Sequence, residues 1–204
     1  MRSLCLAALA LTLVACPDTK GRLDRFLVDS EPHRLTPAGI VCDGPVDASG
    51  EYFISASVAV APNKPILFRG DLVVDLTAMT VTLDMFALAV DSGDDPRVEV
   101  GDVISATADL AEDGTYRLDF GATFVPAAAD PILPGVDVRA DMAFVGCTRT
   151  AATTCGLIEG SVTEPTTLPL AGSTWGALAL GAGDDVLDAP ILTTCAAVAA
   201  SEAQ

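Results

Sequence analysis

From Ile40 onward, apolar and polar side chains alternate with a period of two. Tyr52, Ile54, Ala56, Val58 and Val60 share one face, and Glu51, Phe53, Ser55 and Ser57 share the other. The same beat places Ile66, Phe68, Leu72, Val74 and Leu76 against Arg69, Asp71 and Asp75, and Val81, Leu83 and Met85 against Thr80, Thr82 and Asp84. Ile104, Ala106, Ala108 and Leu110 form a further face. Tyr116, Leu118, Phe120, Ala122 and Phe124 form another, as do Val136, Val138, Ala140, Met142 and Phe144. Such alternation predicts strands with one wet and one buried side. Residues 157–163 and 173–180 continue the series. Turn chemistry falls between the runs: Thr77-Ala78-Met79, the Asp113-Gly114 pair, the cluster from Ser92 to Pro96, and a longer loop with Pro126, Pro131 and Pro134. Residues 40–195 therefore read as one all-β domain, either an antiparallel β-sandwich or an up-and-down, lipocalin-like barrel of about 8–9 strands. Residues 196–204 read as a loose C-terminal tail.

Before residue 40 the pattern is different. Met1-Arg2-Ser3 is a short positive start, and the apolar run from Leu4 to Val14 is too short to span a bilayer. It ends in Leu13-Val14-Ala15-Cys16, which resembles the lipobox of bacterial lipoprotein precursors. The resemblance implies that residues 1–15 are a signal peptide and that Cys16 becomes the lipidated first residue. It also implies a chain anchored in the cell envelope by several acyl groups, each buried methylene contributing about 0.8 kcal/mol. In that family an Asp directly after the Cys favours the inner membrane; here Pro17 stands there, which points to the outer membrane. Residues 16–39 carry Pro17, Gly21, Pro32 and Pro37 among polar residues without a period. They read as a flexible tether with a reach of about 25–30 Å.

Composition narrows the class. Of 204 residues, 50% are apolar, yet 28 acidic side chains face 11 basic ones, for a net charge of -17. A disordered acidic tail would lack the apolar half. A nucleic-acid partner would need a basic face that these residues do not supply. The tether holds four acids and four bases, so the negative charge belongs to the β domain. Cationic or protein partners in the envelope suit such a surface.

Cys5 leaves with the leader and Cys16 carries lipid. Cys42, Cys147, Cys155 and Cys195 remain, an even number that predicts two disulfides in an oxidising compartment. Three pairings are open. The favoured one clamps a hairpin with Cys147–Cys155 and ties the ends of the domain with Cys42–Cys195. The absence of a paired C-x-x-C spacing argues against zinc.

No catalytic set stands out. The sole histidine, His33, lies in the tether, and Lys64 sits in a turn beside Pro65. Aspartate supplies most of the acids, and two turn clusters are weak Ca²⁺ candidates: Asp91, Asp94 and Asp95, and Asp184, Asp185 and Asp188. Neither has the spacing of an EF-hand. No other cofactor is expected. The segments Gly50–Phe53, Tyr116–Phe120, Cys155-Gly156 with Gly160, and Ala171–Trp175 resemble a group of small strand-rich bacterial lipoproteins, which implies the fold and carries over no activity. The expected role is a non-catalytic envelope lipoprotein. The alternative is a carrier whose small inward residues, Ala56, Ala106, Ala108, Ala122 and Ala140, leave room for an apolar ligand.

Overall fold

The computed structural model describes residues 42, 44–90 and 97–202. The leader, Cys16, the whole tether and the cluster Asp91, Asp94 and Asp95 lie outside the described residues. Nine strands and one helix follow in order: β1 Gly50–Ser57, β2 Ile66–Asp75, β3 Thr80–Leu88, β4 Glu99–Asp109, β5 Thr115–Val125, β6 Val138–Thr150, β7 Thr153–Glu164, β8 Leu168–Pro169, β9 Ser173–Ala179 and α1 Cys195–Glu202. All pair antiparallel in one sheet, ordered β4-β3-β2-β1-β9-β7-β6-β5, with β8 added beside β7. The first long strand thus pairs with the last, and the sheet curls until β4 and β5 meet. Between those two the described bridge is Leu110↔Tyr116, next to their connecting turn. The domain is a nearly closed up-and-down barrel, not a sandwich.

The barrel has two distinct ends. The β2–β3, β4–β5 and β6–β7 turns form a base. Residues 44–46 join it there, where the Val46 amide donates to Thr148 Oγ1 at 3.0 Å. The β1–β2, β3–β4, β5–β6 and β7–β9 connections form the opposite end, here called the mouth.

Alternation delivers the predicted faces to the interior. Tyr52, Ile54, Ala56, Phe68, Leu72, Val81, Leu83, Met85, Leu118 and Phe144 are all in one buried cluster. Trp175 lies at its centre, its indole stacked on Phe144 with ring centroids 4.9 Å apart. Two strands away, β6 makes room with Gly146, where a Cβ would stand 2.6 Å from the indole Cζ2.

The alternation changes phase in β5. The β5–β6 register shifts between Asp119 and Gly121. A bulge adds one residue to one strand, so side chains beyond it change face. Thr123 and Val125 are therefore buried, while Ala122 is exposed and Phe124 is 36% exposed. This reverses the prediction for Ala122 and Phe124.

A second departure concerns the outside of β1. Phe53, Ser55 and Ser57 were expected to be wet and are buried. Residues 180–202 cross over Phe53 as a strap, while the Ser57 hydroxyl donates to the Pro62 carbonyl of the β1–β2 loop. Leu180, Val186 and Ala189 pack on Phe53, Leu67 and Leu88, and Leu192 packs with Cys155, Cys195 and Val198. The Arg97 guanidinium lies 5.0 Å over the Phe53 ring and donates to the Val186 carbonyl. The strap ends in α1, whose Glu202 pairs with Arg149 at 3.1 Å. Residues 196–202 are thus an ordered helix, not the loose tail predicted.

The strap also explains the cysteines. The disulfides are Cys42–Cys147 and Cys155–Cys195, not the hairpin clamp and its complement. Cys147 and Cys155 do face each other across the β6–β7 ladder. A bond between them would only re-close a hairpin that the ladder already holds. Each instead fastens a segment that lacks a ladder: the entering chain at Cys42 and the strap at Cys195. The two bonds span 105 and 40 residues.

Two outcomes are expected. Peptide mapping under non-reducing conditions yields Cys42–Cys147 and Cys155–Cys195 peptides, and replacing Cys155 and Cys195 together by Ser lowers stability by about 4 kcal/mol on the chain-entropy account. A peptide linking Cys147 to Cys155 would contradict this pairing. The second outcome concerns the chain's two tyrosines, both buried. Burial pushes the Tyr52 hydroxyl up to about 12, and burial also raises that of Tyr116, whose hydroxyl bonds Thr154 Oγ1. A folded state that retains protons to higher pH than the unfolded chain loses stability as pH rises above about 10. Phenolate absorbance at alkaline pH should therefore stay low through the ordinary tyrosine range and appear together with unfolding.

Candidate functional site

The mouth is where the barrel is least completely filled. Trp175, Phe144 and Phe68 occupy the waist and are buried. Above them two small apolar cavities lie one over the other. The inner one, about 50 Å³, is bounded by Ala56, Phe68, Val125, Ala140, Phe144 and Leu170, among others. The outer one, about 70 Å³, shares Val58, Ile66, Val138 and Val162 with it and is completed by Asp130, Ile132, Leu133 and the β7–β9 loop. Ligand pockets for drug-sized molecules run to about 300 Å³ or more. The space here suits only a few heavy atoms. Of the small residues predicted to hollow the barrel, Ala56 and Ala140 border the inner cavity, Ala106 packs in the core and Ala122 faces outward.

The rim is apolar as well. Val60 is 59% exposed and Leu133 is 40% exposed, and both border the outer cavity. Their placement follows from local chemistry. Pro126 precedes a short 3-10 turn, Ala127–Ala129, and Pro131 and Pro134 prevent the chain that follows from extending a ladder. The Ala127 amide is received by Asp137 Oδ1 at 2.8 Å, which closes the loop on itself.

Among the described residues, Asp130 is the one charged side chain that borders this space. It is 4% exposed. Its Oδ1 accepts the amides of Ile132 at 2.7 Å and Leu133 at 3.2 Å, an Asx-type turn. Its Oδ2 is buried and has no hydrogen-bond partner. Sequence reading did not single it out. The signal was a lone carboxylate in the apolar stretch Ala127 to Pro134.

The predicted acidic trio is placed differently. Asp184, Asp185 and Asp188 border one crevice of about 620 Å³ near the base, between the strap, β9 and the end of α1. Two of these carboxylates serve their own turns. Asp184 Oδ2 accepts the Gly181 amide at 2.6 Å, and Asp185 Oδ1 accepts that of Leu187 at 2.9 Å. Glu202, on the same wall, is held by Arg149 and Thr153. Among the described residues, no three carboxylate, imidazole or thiolate groups come together as metal ligands.

The arginines of the barrel are engaged elsewhere. Arg69 pairs with Glu51 and Glu99, Arg117 with Glu159, and Arg139 with Glu164, all on exposed surface. Such pairs contribute about 0–1 kcal/mol each. Lys64 stands exposed in its turn.

No protein-family model matches this chain, and no curated protein is significantly similar to it.

Phe68 and Phe144 border the inner cavity, and the Trp175 indole stacks on Phe144. Replacing Trp175 by Ala should cost about 3–5 kcal/mol. A urea titration followed by far-ultraviolet circular dichroism measures it, since the chain has only this one Trp. A loss within experimental error would show that the waist is not packed as described.

Proposed function

We propose that this chain is a lipid-anchored protein of the bacterial cell envelope, sited at the outer membrane, which acts by binding rather than by catalysis. The two disulfides of the folded domain carry this reading. Such bonds persist in oxidising compartments and are rare in the cytosol. They agree with the apolar leader and with Cys16 in its lipobox, residues outside those the structure describes. The engagement of the arginines in ion pairs or in holding the strap, and of many aspartates in turns, supports a binding role. So does the sole histidine being His33, in the tether sequence.

The barrel is compatible with a lipocalin-like binder, and the mouth is the part of it we assign to ligand. The stacked apolar cavities favour a small molecule over a lipid chain, because Trp175 and Phe144 occupy the depth a long chain would need. A protein partner gripping the acidic surface is the second reading, favoured by the concentration of the negative charge on the barrel.

The anchor is tested directly. The wild-type precursor should be processed in a globomycin-sensitive manner and fractionate with outer membranes. Cys16→Ser should abolish both lipid incorporation and that processing. Unchanged processing of the variant would refute the lipid-anchor assignment and leave the barrel as a secreted domain.

A further inference from the structure

We propose that the mouth cavity binds a short aliphatic ammonium ion, with Asp130 accepting its charged head. The inference rests on the reading of the mouth as a ligand site and adds the chemistry of the ligand. Asp130 borders the cavity, is almost wholly buried, and uses only one of its two oxygens on the protein. Its Oδ2 is enclosed and unpartnered. A buried acceptor left unpaired is costly, and a carboxylate more so than a neutral group. Native structures rarely keep such a group without a purpose or a missing partner.

The surroundings specify that partner. The rest of the lining is apolar apart from Thr166, and among the described residues it includes no Lys, Arg or His. The described residues therefore supply no cation there. An anionic ligand would meet a like charge in a desolvated space. A neutral hydrocarbon would fill the cavity and leave Oδ2 unpaired. An alkylammonium satisfies both halves: its head brings three N–H donors, and its methylenes lie against Val58, Val138 and Val162. The small volume limits the tail to about four carbons, with the rest at the rim beside Val60 and Leu133. The acidic field of the barrel raises the local concentration of cations at the same entrance.

The test uses n-butylammonium, n-butanol and butyrate against the purified protein. Binding is followed by amide chemical shifts, above all those of Ile132 and Leu133. The ammonium should bind at least about tenfold more tightly than the alcohol, and butyrate should not bind. Asp130→Asn should lower the ammonium affinity at least about tenfold. That variant keeps an oxygen to receive the two loop amides, so its thermal midpoint should stay near wild type. Equal affinity for ammonium and alcohol, or an Asn variant that binds the ammonium as well as wild type does, overturns the inference while leaving an apolar ligand site at the mouth. Binding of none of the three at tens of millimolar overturns both readings. The comparison of the three probes on the wild-type protein decides the matter even if the variant does not fold.

Discussion

The stack of Trp175 on Phe144 decides what kind of barrel this is. An eight-stranded ring has an interior just wide enough to be filled by side chains or to hold one small ligand. Here one indole lies across the lumen and a second ring completes the layer. The arrangement requires Gly146 on β6, the strand that also carries Phe144, because any side chain there would occupy the indole's place. Everything above that layer is shallow, and everything below it is packed around Tyr52 and Tyr116. The mouth owes its limited depth to this one contact, and the rigid lower half owes it its centre.

The acidic composition has a structural explanation. Asp47, Asp75, Asp113, Asp119, Asp130, Asp137, Asp184 and Asp185 each accept at least one backbone amide, Asp119 at the β5 bulge and the others in turns, loops or the residues beside them. A short carboxylate does this well, since it reaches amides two or three residues along the chain; Asp137 instead holds Ala127, ten residues back. The bonds that Ser49 and Thr115 give to Asp47 and Asp113 hold those carboxyls below their usual range. That contribution is complete above the ordinary aspartate range and fades as pH falls through it. An antiparallel barrel needs many tight turns, and this chain builds them largely with Asp. Asp130 differs from the other seven in being buried, with one oxygen left over.

Much of the barrel was legible from period alone. The inward faces of β1 to β4 and the turns at Thr77–Met79 and Asp113-Gly114 fall where the alternation and turn residues put them. Three features were not legible, each for a physical reason. The bulge near Gly121 exchanges the faces of Ala122, Thr123 and Phe124, and a bulge leaves no mark in hydrophobic period until its pairing partner is known. The cysteine pairing depends on which segments lie beside β6 and β7. Spacing in sequence does not carry that information. The strap was hidden because Leu180, Val186, Ala189 and Leu192 are too irregularly spaced to read as a strand or helix. Their partner on β1, Phe53, stands on what looks like the wet side of an ordinary strand. For the site, Asp130 was visible only as an acid among apolar residues, while the more conspicuous trio from Asp184 to Asp188 proved to be tied largely to local turns.

The seam between β4 and β5 has a mechanical consequence. A fully laddered ring has a fixed circumference, because widening it anywhere breaks a run of backbone hydrogen bonds. This ring is bridged at its base by Leu110↔Tyr116. Near the mouth, a hydrogen bond of 2.9 Å from the Val90 amide to the Ala128 carbonyl links the loops on either side of the seam. Among the described residues the seam is thus bridged by backbone at its base and joined near the mouth by this hydrogen bond. Ala128 belongs to the loop that carries Asp130, so any widening of the seam at this bond would also displace the carboxylate.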